Sequence, residues 1–398
     1  MIRGASDAGR GVARDTRPTA TPRGVLRRIL IGAVILLGFG LSALVTGASI
    51  GLSTGLLAGL VGLLFAVIPL GVVVPAFAWV DRFESEPRIN LVFAFAWGSV
   101  VATALALILN TGSMLVLENL GRTDSLPMTA VVVAPVVEEL AKGFGVFLLL
   151  RFQRREFDGV VDGLVYAGMT AAGFAFAENI LYLGRAFAES GPVALAGTFV
   201  MRGLVSPFAH PLFTCCTGIG LGYAARTRST AVRILAPLLG CACAVVLHAA
   251  WNLSSLVGID GFLTLYLTLQ LPIFCAFVGL AVWARRQEGR MITTELQGYA
   301  QAGWFTPGEV TMLGSMPARR RAQAWARATG GPRALSAMHR FQDCASELAL
   351  LRLRVASGHG HADDPARERA LLGDVMRARA GIFGPSTLDA PGPHSSAG

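Results

Sequence analysis

Ionisable side chains are scarce in the apolar runs of this chain, and they form a short ordered set. One run carries Glu138-Glu139-Leu-Ala-Lys142-Gly143, and the next carries Phe174-Ala-Phe-Ala-Glu178-Asn179. A third holds Arg202 and His210, and a fourth holds His248-Ala-Ala-Trp251-Asn252. A charged group deep in hydrocarbon is costly unless paired, neutralised or hydrated. Glu138 and Lys142 are four apart with the acid first, the favoured orientation for a helix ion pair. Lys142 could equally hold Glu139, three apart, which frees Glu138. Spacing leaves both pairings open. The unpaired glutamate is suited to take a proton from water and return it. His248 and Asn252 share a helix face and could donate to an oxyanion formed when water attacks a carbonyl. His210 could orient the water, alone or with Glu178. His210, His248 and Glu178 would also make a His₂Glu set for one divalent metal such as zinc, with the paired glutamates as base. No His-Glu-x-x-His helix is present, so a metal site requires three separate segments to meet.

The elements that must position these groups follow from composition. The chain has 398 residues, 53% hydrophobic and 15% charged, with mean hydropathy +0.57. Soluble domains carry roughly a quarter charged residues, so a soluble globular enzyme is excluded. The expected fold class is all-α: a polytopic membrane helix bundle of about eight transmembrane helices with a small helical cytoplasmic tail. The apolar runs cover about 29–50, 55–80, 91–117, 128–150, 160–184, 194–224, 231–256 and 262–284, each near or above the ~20 residues a crossing helix needs. The sixth is long and contains Pro207 and Pro211, which predicts a kink or break. At ~1.5 Å per residue, Glu138, Glu139, Glu178 and His248 fall at similar depths in the outer half of the membrane. A slide or kink in the sixth run brings His210 to the same level.

Arginine placement sets the orientation. Seventeen arginines flank alternate ends of the runs, whereas the intervening loops carry only Arg122 and Arg185. That positive-inside bias puts both termini in the cytoplasm of a multi-pass cell-membrane protein. Lys142 is the one lysine among 34 basic residues in a chain of net charge +9. No arginine–aromatic weave suggests a nucleic-acid partner. The six cysteines imply no disulfide framework, because five lie in apolar runs and Cys344 stands alone. Residues 1–28 are expected to be a disordered basic cytoplasmic N-terminus and 29–284 the membrane domain. Residues 285–383 are expected to be a helical cytoplasmic tail, and 384–398 a disordered C-terminus. In the tail, Thr306-Pro307-Gly308-Glu309 is a helix-start signature. Leu335, Met338, Phe341, Ala345, Leu348 and Leu351 recur at helical spacing. Such a tail suits a cytoplasmic partner or self-association.

The set Glu138-Glu139-x-x-Lys142, Phe174-x-x-x-Glu178-Asn179, His210 and His248-x-x-x-Asn252 resembles the PrsW family of intramembrane proteases. That family lies within the CAAX-protease and bacteriocin-processing superfamily. The resemblance covers roughly residues 80–284. It implies an intramembrane peptidase, glutamate-type or metal-dependent, with Glu138, Glu139, Lys142, Glu178, His210, His248 and Asn252 at its catalytic site. It also implies membrane-anchored protein substrates, typically anti-sigma factors, cut on the extracytoplasmic side within the lipid bilayer. The wider superfamily usually has Glu-Glu-x-x-x-Arg, but position 143 here is glycine and Lys142 comes one residue earlier. The superfamily's Phe-x-x-x-His becomes Phe174-x-x-x-Glu178, a swap that favours the PrsW branch over prenyl-peptide cleavage.

Each residue also has a plainer reading. Glu138, Glu139 and Lys142 could be a structural pair, Glu178 could reach headgroups, and the histidines could be satisfied core residues. Arg202 is expected to reach outward or pair with an acid, and Asp158 and Asp162 to cap the start of the fifth run. The rival classes are a proton-coupled transporter, which would be expected to show an inverted repeat, and a non-proteolytic membrane scaffold.

Overall fold

A computed structural model describes residues 22–83, 86–154, 157, 159–358 and 360–383, with side chains described from Gly32 onward. The expectations for residues 1–21, Asp158 and 384–398 lie outside the described residues. Among those described there is helix and no strand. Helix α1 is Pro22–Val80, α2 is Arg88–Ala96, α3 is Thr103–Asn119, α4 is Ser125–Met128 and α5 is Ala134–Phe152. Then come α6 Val160–Phe199, α7 Ala209–Arg226, α8 Thr230–Ser254, α9 Gly258–Leu265 and α10 Leu271–Gln301. The remaining helices are α11 Pro307–Leu313, α12 Met316–Ala356 and α13 Asp364–Phe383. Helix α1 begins at Pro22, inside the stretch expected to be disordered, as proline suits a first helical turn and an apolar run follows it.

This is a membrane protein of the all-α class. Five stretches are long and apolar enough to cross a bilayer: Gly32–Val80, Arg88–Asn119, Val160–Arg226, Thr230–Ser254 and Gly258–Gln301. Two of them are divided. Gly55 (φ 75°) breaks α1, and Gly191 (φ 75°), followed by Pro192, breaks α6. Only glycine enters that region of backbone space without strain. The segment Ser125–Phe152 carries the Glu-Glu-Lys set, which keeps it out of an apolarity count. With it and the two divisions, the described residues offer eight apolar helical segments. Leu36, Leu52 and Leu56 are among many large apolar side chains left open on the outer face, where lipid is the solvent.

The stretch containing α6 and α7 is the most buried of the five, and its neighbours come very close to it. A Cβ added to Gly218 of α7 would lie 2.1 Å from the Gly163 carbonyl oxygen of α6, and one on Gly163 would meet Gly218 oxygen at the same distance. Gly98 approaches Thr170 oxygen as tightly, at 1.8 Å from an added Cβ. Helices in lipid associate through such small-residue contacts. Four π-helical stretches, Trp97–Ala102, Thr129–Val133, Val200–Val205 and Tyr266–Gln270, interrupt the bundle. Side chains bond carbonyls at or beside them: Tyr266 hydroxyl donates to Val205 oxygen at 3.0 Å, and Trp97 Nε1 to Ala141 oxygen at 2.9 Å.

Beyond the membrane segments, α11, α12, α13 and the end of α10 build a second core. Met338, Phe341, Ala345, Leu348 and Leu351 are buried there, whereas Leu335 is only partly covered. Thr306 and Glu309 form a capping box at the start of α11. Phe83, from the loop after α1, is 4% exposed and belongs to this core. Arg319 sits 5.0 Å over its ring, donates to its carbonyl oxygen at 3.3 Å, and reaches Leu313 oxygen and Ser346 Oγ. Burial pulls the Arg319 guanidinium down to about 10.

Two outcomes test this packing. Gly218→Ala should lower the thermal midpoint of the detergent-solubilised protein sharply, because the obstacle is backbone on both sides. Phe83→Ala should weaken the union of tail and membrane core by about 3–5 kcal/mol. Limited proteolysis should then release the tail from the variant at protease levels that leave wild type intact.

Candidate active site

The charged residues lie at one level. Counting from the ends marked by Phe152, Val160, Arg226 and Thr230, Glu138 and Glu139 lie roughly 20 Å along α5 at ~1.5 Å per residue. On the same count Glu178 lies roughly 27 Å along α6, His210 roughly 24 Å along α7 and His248 roughly 27 Å along α8. The groups therefore lie at similar distances from the arginine-rich ends of their helices.

Lys142 holds Glu139. Its Nζ lies 2.5 Å from Glu139 Oε1, and both side chains are wholly inaccessible. Thr214 Oγ1 donates to Glu139 Oε2 at 2.8 Å, and His248 Nδ1 lies 3.0 Å from Oε1. Glu139 is thus saturated by α7 and α8 as well as by its own helix. Lys142 Nζ is also 3.3 Å from His210 Nδ1 and 4.4 Å from the centre of the Phe174 ring. An ammonium in apolar surroundings is stabilised by such a ring face.

Glu138 is the freer acid. Asn110 Nδ2 of α3 donates to its Oε1 at 3.2 Å, while its Oε2 is buried without a hydrogen-bond partner. That oxygen is 3.8 Å from His248 Nε2. Donor atoms of Glu138, His210 and His248 all lie within 4.8 Å of one another, a grouping able to hold a metal ion. The sequence-based metal set had Glu178 in place of Glu138. Glu178 is instead one step out, its Oε2 2.9 Å from His210 Nε2 and 2.7 Å from Arg202 Nη2. Arg202 Nε also donates to Asn179 Oδ1 at 2.7 Å, so Arg202 pairs with an acid rather than reaching outward.

Asn252 bonds the backbone beside the site. Its Nδ2 donates to Ala130 oxygen at 2.8 Å, within the π-helical stretch that leads into α5. Asp162 bonds Gly159 N at 2.7 Å, as a cap should. The described cysteines are all free. Two site residues, Asn110 and Thr214, escaped sequence reasoning. Asn110 carried a signal, an amide within the run Leu107-Ile-Leu-Asn110-Thr-Gly, whereas Thr214 is of a type common in membrane helices.

A polytopic helical protein with carboxylates and imidazoles converging inside the membrane is the class that fold and site define. The family model described as PrsW family intramembrane metalloprotease matches residues 86–281, the region holding every one of these groups. Over that region the chain is similar to the PrsW family. Protease PrsW of Geobacillus kaustophilus (strain HTA426) is 31% identical over 144 residues, covering 36% of this chain and 58% of that protein. Protease PrsW of Clostridioides difficile (strain 630) is 30% identical over 159 residues, covering 39% and 62%. A third, from Oceanobacillus iheyensis, is 45% identical over 60 residues, covering 15% and 27%. The chain thus spans about three fifths of the length of the first two relatives. No solved structure matches.

The Lys142–Glu139 pair has a measurable signature. Lys142→Met should destabilise the protein by about 3–5 kcal/mol, because it strands a buried carboxylate. Lys142→Met combined with Glu139→Gln should cost clearly less than the two single changes together, as expected for contacting residues. Thermal denaturation of the four proteins in detergent measures the cycle.

Proposed function

We propose that this chain is an intramembrane endopeptidase that cleaves membrane-anchored proteins, anti-sigma-factor-like substrates among them, near the extracytoplasmic face of the membrane. The observation that carries the reading is the convergence of Glu138, His210 and His248 donor atoms within 4.8 Å. The arginine bias supports a cell-membrane protein with both termini cytoplasmic, which puts the far half of the bilayer on the extracytoplasmic side.

The donor set fits one divalent ion of the zinc type. It offers two imidazoles and a buried carboxylate oxygen with no hydrogen-bond partner. Three carboxylates, Glu138, Glu139 and Glu178, stand against two cations, Lys142 and Arg202, leaving formal negative charge for a cation to offset. Glu138, His210 and His248 would hold the ion, which when bound supplies Lewis acidity toward a carbonyl and eases ionisation of water.

The chain's own residues do the remaining work. Glu139 accepts a hydrogen bond from His248 Nδ1, which fixes the tautomer and presents Nε2 unprotonated toward Glu138. Lys142 and Thr214 keep Glu139 in that post. Asn110 orients Glu138 so that its second oxygen faces the imidazoles. Glu178, beside the donor set and partly accessible, takes the proton from the attacking water and returns it to the leaving amine. The base role expected for Glu138 or Glu139 therefore moves to Glu178, since Glu139 is saturated and Glu138 serves as a donor. Asn252 anchors the approach to α5.

Mapping of membrane-protein termini by mass spectrometry, in cells carrying wild type or Glu138→Gln, tests the reading. A juxtamembrane cut made by wild type should fall by about 10²-fold or more in Glu138→Gln, as for loss of a principal catalytic group. An unchanged set of cleavage products, with the variant stably inserted and melting like wild type, would sink it.

A further inference from the structure

Glu178 Oε2 has two claimants. His210 Nε2 approaches it at 2.9 Å, and Arg202 Nη2 at 2.7 Å. A carboxylate only accepts, so His210 donates through Nε2 and turns Nδ1 toward the Lys142 ammonium, 3.3 Å away. Both nitrogens of His210 are therefore occupied while Glu178 stays on Nε2. For His210 to serve as a metal donor through Nε2, that proton must leave and Glu178 must release the nitrogen.

Arg202 is built to receive Glu178. Its guanidinium is held on one face of α6 at three successive anchor points. Nη2 reaches Glu178, Nε reaches Asn179 Oδ1 at 2.7 Å, and the group lies 4.1 Å over the Tyr182 ring. Asn179 is buried, and its amide oxygen fixes the guanidinium independently of Glu178. Arg202 itself comes from the π-helical turn Val200–Val205, a distortion often found where a helix must present a functional side chain. The chain then breaks before α7 begins and His210 follows, so one short segment supplies both claimants.

We propose that Arg202 is a positioning residue that holds Glu178 out of the metal's coordination shell, so that one position remains open to solvent. This rests on the metal reading above. Glu138, His210 and His248 are three protein donors, the number found in catalytic zinc sites, whereas structural sites close with a fourth. A carboxylate already 2.9 Å from His210 Nε2 is the nearest candidate to close this one. The Arg202 ion pair competes for it with a charge-assisted hydrogen bond. Held there, Glu178 stays a base beside the open position. Released, it becomes a ligand, and the site turns from catalytic to structural.

The test uses full-length protein in detergent, with zinc affinity measured against a chromophoric chelator and the donor count read from the visible spectrum of the cobalt form. Wild type should bind one zinc per chain and give the spectrum of a site with a solvent position. Arg202→Gln should bind zinc about tenfold tighter, the scale of an outer-shell effect. Its cobalt spectrum should shift to that of a filled site, and substrate cleavage should be lost. Arg202→Lys, which keeps a cation there, should restore part of the wild-type spectrum. Arg202→Gln with Glu178→Gln should return the spectrum to the wild-type form. Unchanged or weaker zinc binding in Arg202→Gln that melts like wild type would overturn the proposal. So would tighter binding with an unchanged cobalt spectrum, which would reflect charge removal alone. Wild type that cleaves substrate yet binds no zinc would instead bring down the metal reading, and this inference with it.

Discussion

Lys142 has no contact with solvent, and neither has the glutamate it holds. Removing two ions from water costs several kcal/mol for each, and their mutual attraction offsets that only with good geometry and further hydrogen bonds. The site is organised around meeting that condition. Thr214 and His248 complete the bonding of Glu139, and Phe174 offers its ring face to the ammonium. The same ammonium faces His210 Nδ1, so the charge that neutralises Glu139 also restricts how His210 can turn. One buried pair therefore draws together α5, α6, α7 and α8, four of the helices that carry the site.

Such convergence needs helices that come closer than ordinary side chains permit. Gly163 against Gly218, and Gly98 against Thr170, bring backbones nearly into contact around α6. Close approach also limits adjustment, and the π-helical stretches supply it. The stretch Thr129–Val133 leads into the helix of Glu138 and Glu139, and Val200–Val205 carries Arg202. Asn252 bonds the backbone of the first of them.

The tail core is joined to this frame at the opposite end of the membrane segments. Phe83 lies in the tail core, and Glu86, three residues on, receives the Tyr166 hydroxyl of α6. Tyr166 also accepts from Asn90 and stacks on Phe157, with ring centres 5.5 Å apart. Twelve residues further along the same helix is Glu178. The loop after α1 thus touches both the tail and the helix that presents the proposed base, while Arg228 ties the α7–α8 turn to Ser357 of the tail.

Much of the fold was legible in the residues themselves because hydrocarbon solvent is unforgiving. Twenty apolar residues in a row must be helical there, and a charge among them must have a partner. Those two rules locate the membrane helices and the set Glu138, Glu139, Lys142, Glu178, His210 and His248, while the Thr306 capping box follows from its own helix-start signature. Spacing along one helix could not choose between Glu138 and Glu139 as the partner of Lys142, since both positions lie within its reach. The choice came from Thr214 and His248 on other helices, which saturate Glu139 and leave a Glu138 oxygen bare. Asn252 shares a face with His248, and its amide donates to the Ala130 carbonyl, a partner that spacing does not show. Glu178 shares one oxygen between His210 of the donor set and Arg202, a division that spacing along the chain does not show. The sequence alone determined which groups must be buried and on which helices. Only the tertiary structure decided who bonds whom, because a hydrogen bond in an apolar medium goes to the nearest properly aimed partner, and aim depends on how separate helices are rotated and packed.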